Sequence, residues 1–134
     1  MTPEQRQTAR ACLEAAEQDS LAFPQIVGKL IEAGFESYLI DLRRASACYY
    51  LPDGDAIELP AHRVDTPVAA HLDAGALQAA IREAQQLVPG YSYRGFCEKA
   101  AAAGCAGYLV TFSGRRALYF GRDGATHVEP FPQQ

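Results

Sequence analysis

The stretch GCAGYLVTFSGRRALYFGRDGATHVEPFP, residues 104–132, has an earlier counterpart in GFESYLIDLRRASACYYLPDGDAIELP, residues 34–60. Under a constant shift of seventy, residues 23–54 lie over 93–124 without a gap, and nine of the thirty-two pairs are identical. The identities are Lys29/Lys99, Ala33/Ala103, Gly34/Gly104, Tyr38/Tyr108, Leu39/Leu109, Ala47/Ala117, Tyr49/Tyr119, Asp53/Asp123 and Gly54/Gly124. Pairs such as Ile26/Phe96, Ile40/Val110, Leu42/Phe112 and Tyr50/Phe120 keep apolar character where a buried face requires it. An internal repeat of about seventy residues, present only twice, is too short a series for a solenoid and predicts one compact pseudo-symmetric domain.

Each copy changes period at its glycine. Ahead of Gly34, Ile26, Val27, Leu30 and Ile31 recur at helical spacing, and Gly34 is suited to the left-handed cap that ends a helix. Beyond it, 38–42, 47–51 and 56–59 read as three short strands, with Arg43-Arg44-Ala45-Ser46 and Pro52-Asp53-Gly54 as tight connections. The second copy matches: a helix from Tyr93 to Ala103 capped by Ser92 and ended by Gly104, then strands 108–112, 116–120 and 125–129. Working outward, Thr2-Pro3-Glu4-Gln5 reads as a capping box opening a helix that runs to about Gln18, with a thin stripe of Ala9, Cys12, Leu13 and Ala16. Asp73 caps its counterpart, whose stripe is Leu77, Ile81, Ala84 and Val88 and whose end is placed at Pro89-Gly90. The expected architecture is (ααβββ) twice, an α+β fold in one domain over 1–134: repeat one at about 2–60, a linker at about 61–72 and repeat two at about 73–132. Antiparallel meanders bury their helices on one face; one sheet of six strands and two separate sheets both fit.

At 134 residues and 14.5 kDa, a single core can form without disulfides or metal. The chain is 49% hydrophobic and 21% charged, which predicts an ordered globular protein. The polar start MTPEQRQTAR and the absence of an eighteen-residue apolar run predict neither secretory signal nor membrane span. Cys12, Cys48, Cys97 and Cys105 lack CxxC spacing and paired histidines, so they read as reduced, apolar side chains of a cytoplasmic protein; no metal and no cofactor is expected. A net charge of −4 without a basic cluster argues against nucleic acid as partner.

The candidate chemistry is sparse. His127 and Glu129, two apart in an expected strand, share a face, and a carboxylate beside an imidazole makes a usable base; Tyr108 and Tyr119 on neighbouring strands are the candidate partners. A cleft between the two meanders would be the place for such an enzyme. The commoner meaning of two polar residues at that spacing is a solvent-facing sheet surface. Tyr38/Tyr108 and Tyr49/Tyr119 stand at equivalent places, which favours a structural use. Arg43-Arg44 and Arg115-Arg116 sit near the same turn but two residues out of step, a solvated turn rather than a shared anion site. Gly121-Arg122-Asp123-Gly124 joins two strands and opens no helix, so it is a hairpin turn and not a phosphate loop.

FPQIVGKLIEAGFESYLIDL near the start and YFGRDGATHVEPFP near the end resemble the YbcV-like family, small proteins often labelled phage envelope protein and otherwise grouped as a domain of unknown function. The likeness runs over nearly the whole chain; Gly34 with Tyr38, and Tyr119 through Glu129, are its most specific pieces. It implies a bacterial, often prophage-associated, cytoplasmic protein and carries no catalytic residues over. Two functions compete: a non-enzymatic binding module with a protein partner or a second copy of itself, and a small enzyme built on His127 and Glu129.

Overall fold

Thr2 closes the first turn of α1 (Pro3–Glu17) through both halves of the expected capping box: its hydroxyl accepts from the Gln5 amide at 3.1 Å, and the Gln5 side chain accepts from the Thr2 amide at 2.9 Å. The computed structural model that shows this describes residues 1–132. In α2 (Phe23–Glu32) the N-cap is Ala22, which has no side-chain acceptor; Gln25 supplies the return half by accepting from the Ala22 amide at 2.9 Å. Asp73 caps α3 (Ala74–Gln86) and Ser92 caps α4 (Tyr93–Ala102), as the sequence predicts. Gly34 and Gly104 stand just past the ends of α2 and α4 with φ of 101° and 88°. The end of α3 differs from expectation. It stops at Gln86, three residues before Pro89, because Leu87 takes a left-handed conformation at φ 48° and the Val88 amide reaches back to the Glu83 carbonyl. Ile81 is the last buried side chain of this helix; Ala84, further along, is only partly buried against the core.

The six strands are β1 (Ser37–Asp41), β2 (Ser46–Tyr50), β3 (Ala56–Pro60), β4 (Cys105–Thr111), β5 (Arg116–Gly121) and β6 (Thr126–Pro130). They form one antiparallel sheet in the order β3-β2-β1-β4-β5-β6, so the two meanders join edge to edge at β1 and β4. The fold is α+β in a single domain. At the seam Leu39 faces Leu109, and the seventy-residue shift turns the pair Ser37/Thr111 into Gly107/Asp41, which is also a pair of the seam. The central pairing thus has the register of a local twofold axis through Leu39 and Leu109. β4 begins three residues before the expected strand, since Cys105 pairs with Gly121 across an irregularity that ends at Gly107.

All four helices cover one face. Tyr38, Ile40, Ala47, Tyr49, Ile57 and Leu59 of the first meander, and Tyr108, Val110, Ala117 and Tyr119 of the second, are buried beneath them. The tyrosine pairs repeat closely: Tyr38 and Tyr49 have centroids 5.4 Å apart at 34°, Tyr108 and Tyr119 5.1 Å apart at 35°. Leu30 from α2 and Leu77 from α3 are the largest fully buried side chains. On the uncovered face the registers line up one residue from each strand: Glu58, Cys48, Leu39, Leu109, Leu118 and Val128. Five of the six are apolar, and the row crosses the whole sheet.

Candidate functional site

His127 and Glu129 lie opposite Tyr119 and Ala117, two buried residues of the helix-covered face. Their side chains therefore point under the helices, and neither sits on a solvent-facing sheet surface: each side chain is 18% exposed. Nor do they line a cleft between the meanders, because β6 is the outer strand of the sheet, three strands from the β1–β4 seam. The imidazole Nε2 and the Glu129 carboxylate are 3.2 Å apart. Gln78 and Gln85 of α3 donate to the two carboxylate oxygens at 3.1 Å and 3.4 Å. The pair thus ties α3 to the sheet edge. At the equivalent positions the first unit has Ile57 and Leu59, both buried, so one contact is made with charge and amides on one side and with aliphatic side chains on the other.

The tyrosines do not complete a catalytic group. Tyr119 lies 6.3 Å from His127 between ring centroids, but Tyr108 is turned into the core, where its hydroxyl pairs with that of Tyr93. Burial pushes both phenols well above the ordinary tyrosine range, so neither is available as a phenolate near neutral pH. The arginine turns belong to opposite ends of the sheet, since β1 and β4 run antiparallel. Arg44 pairs with Glu58 at 2.9 Å, while Arg115 lies over the Phe131 ring at 5.9 Å. They form no common anion site. Gly121 to Gly124 is a hairpin turn, with the Asp123 side chain accepting from the Ala125 amide at 3.0 Å, as Asp53 accepts from Asp55 in the first unit. No group of three or more His, Cys, Asp and Glu able to hold a metal occurs among the described residues.

The two units differ most on the flanks of α2 and α4. The segment 64–72 runs along α4 and is fixed there by Glu98, whose carboxylate accepts from the Asp65 and Thr66 amides at 2.9 Å and 3.0 Å and from the Thr66 hydroxyl at 2.6 Å. Further along, the Ala69 amide bonds the Ala101 carbonyl at 3.1 Å and the Asp73 amide the Ala103 carbonyl at 2.7 Å. Val64 and Val68 pack onto the core, and Ala101 is fully buried. In α2 the residues equivalent to Glu98 and Ala101 are Gly28 and Ile31. Ile31 is 51% exposed, and a Cβ at Gly28 would meet no atom within 4 Å. The expected buried stripe of α2 thus loses Ile31, because no segment lies along Gly28 and Ile31 as 64–72 lies along α4. Only at the helix end is there a counterpart, where the Gln5 side chain donates to the Ala33 carbonyl at 3.0 Å as the Asp73 amide does to that of Ala103.

An open crease of about 780 Å³ between α1 and α2, lined by residues that include Thr8, Cys12, Leu21, Lys29 and Glu32, holds none of the sequence candidates. Residues 11–129 match the family described as "Protein of unknown function (DUF1398)". The chain belongs to this family. The match runs from within α1 to the last polar residue of β6, so in this DUF1398 protein it includes both units, the segment between them and the Glu129 contact. No curated protein matches the chain. No helix among the described residues is long and apolar enough to cross a membrane.

Proposed function

We propose that this DUF1398 protein is a non-enzymatic binding module that takes a short irregular segment of a partner protein along the exposed flank of α2. The observation that carries the reading is the internal template. On α4 the same flank holds 64–72 along a path that bends at 65–66 and 70–71, with Val64 and Val68 packed onto the core and the Ala69 amide on the Ala101 carbonyl. On α2 the flank keeps its apolar residue, Ile31, without a cover. Gly28 supports the reading. Glycine in an exposed helix interior costs about 1 kcal/mol against alanine, and here the space beside it is open, which suits close approach of another backbone.

The setting we propose is a bacterial cytoplasm, for which the four unpaired cysteines, three of them buried, are the support. A YbcV-like, prophage-type origin rests on the resemblance of Gly34, Tyr38 and residues 119–129, and the two units read as copies of one ancestral unit. Selection of nine-residue peptides by display on the folded chain tests the binding site. Enriched sequences should carry β-branched or aliphatic residues four apart and should lose binding to Ile31→Asp. Enrichment equal on parent and Ile31→Asp, or none above background, contradicts the reading.

A further inference from the structure

Lys29 and Lys99 occupy equivalent places on α2 and α4, but their counter-ions differ. Lys99 donates to the Glu83 carboxylate at 2.5 Å and so ties α4 to α3 with the chain's own charges. A shift of sixty-eight lays Ala9, Leu13 and Ala16 of α1 over Leu77, Ile81 and Ala84 of α3, and it sets Ala15 where α3 has Glu83. Ala15 offers no carboxylate, and Lys29 forms no ion pair among the described residues. Lys29 instead lines the open crease between α1 and α2, whose volume of about 780 Å³ lies within the range of about 300–1,000 Å³ that small-molecule sites occupy. Its ammonium stands near Cys12, where burial raises the thiol pKa and the lysine opposes that rise. Ala11, Cys12 and Leu21 give the crease an apolar stretch. Glu4 from α1 and Glu32 from α2 line it too, and neither carboxylate is paired with a cation among the described residues. Lys29 and Glu32 are three residues apart on an exposed helix surface, a spacing at which an ion pair is weak, so a ligand group can displace it. Gly28 and Ile31 are not part of this lining, so the crease is independent of the α2 flank.

We propose that the crease binds a small zwitterion of the amino-acid class, with its carboxylate on Lys29, its ammonium toward Glu4 and Glu32, and a short apolar side chain along Ala11, Cys12 and Leu21. The ligand carboxylate takes the part that Glu83 plays beside Lys99. Both charges are needed: an anion alone sets a further negative group beside two unpaired carboxylates, and a cation alone leaves Lys29 without a counter-ion. The charged groups are exposed to solvent, so binding is weak and is screened by salt.

Amide chemical-shift titration of the full chain at low salt with free alanine, valine, leucine, methionine and phenylalanine tests this. At least one of them should give saturable shifts centred on Thr8, Cys12, Lys29 and Glu32. For that amino acid, the two analogues that lack one charge, its carboxamide and its deaminated acid, should each bind about tenfold or more weakly. Lys29→Met should weaken binding by a similar factor, and so should Ala15→Glu, which supplies the counter-ion present in the second unit. Far-UV circular dichroism checks that each variant is folded, and Lys29→Met, an exposed substitution, remains the probe if Ala15→Glu is not. Absence of saturable shifts with every one of these amino acids, or shifts centred outside the crease, would overturn the proposal. So would binding that survives Lys29→Met, a folded Ala15→Glu that binds as the parent does, or analogues that bind as tightly as the zwitterion.

Discussion

Gly34 and Gly104 hold the same cap and meet different surroundings. At Gly34 an added Cβ would lie 3.3 Å from the end of the Gln5 side chain, which can shift. At Gly104 it would collide with the His71 carbonyl and lie 3.0 Å from the Leu72 Cα, both backbone. Gly34→Ala therefore costs mainly the left-handed strain, about 1–2 kcal/mol. Gly104→Ala adds displacement of the 64–72 segment, and its loss in thermal melting should be about twice as large or more. Equal melting points for the two variants would contradict the packing of that segment on α4. The residue scale also shows what the sequence could not decide. Spacing of two puts His127 and Glu129 on one face but leaves open which face; only the pairing with Tyr119 and Ala117, a matter of register, turns them toward α3.

Among the elements, helix starts were the most legible parts of the chain, because Thr2, Asp73 and Ser92 each satisfy specific backbone amides with a local side chain. The width of an apolar stripe was not, since Ile31 and Ala101 differ in burial through a segment some thirty residues away in sequence. That segment's anchor is testable through its charge. The Thr66 hydroxyl, then the Asp65 amide, hold the Glu98 carboxyl below its ordinary value of 4.5. A lowered folded-state pKa means that the anchor stabilises fully above that value and is lost as pH falls below it through the folded-state pKa. Amide exchange should therefore show Asp65 and Thr66 losing protection on acidification. Glu98→Ala should remove that protection at neutral pH and leave no acid-dependent step at these two amides; an acid step that persists in the variant would assign it to another group.

For the molecule as a whole, the seven tyrosines set the alkaline limit. Burial, first of all, raises Tyr38, Tyr49, Tyr93, Tyr108 and Tyr119 and pushes Tyr91 up to about 12, while a hydrogen bond with Cys48 leads the rise at Tyr50. Above pH 10 the unfolded chain releases phenolic protons that the folded chain keeps, so stability declines as pH rises from there. Ultraviolet titration should show the buried phenolates appearing together with loss of the fold; their ionisation while the far-UV spectrum stays native would contradict the tyrosine core. That core also explains why α+β and (ααβββ) twice were readable in advance, whereas the joining of the meanders was not. Alternation marks a strand and its buried face, but the choice between one sheet and two depends on the β1–β4 pairing, which joins residues seventy apart. The most direct test of that pairing is amide exchange on residues 1–66 expressed alone beside the whole chain. With one shared core and a single sheet, the isolated half should lose protection throughout β1 and β2, including Tyr38, Ile40 and Tyr49; native-like protection there would show two independent folding units and contradict the account.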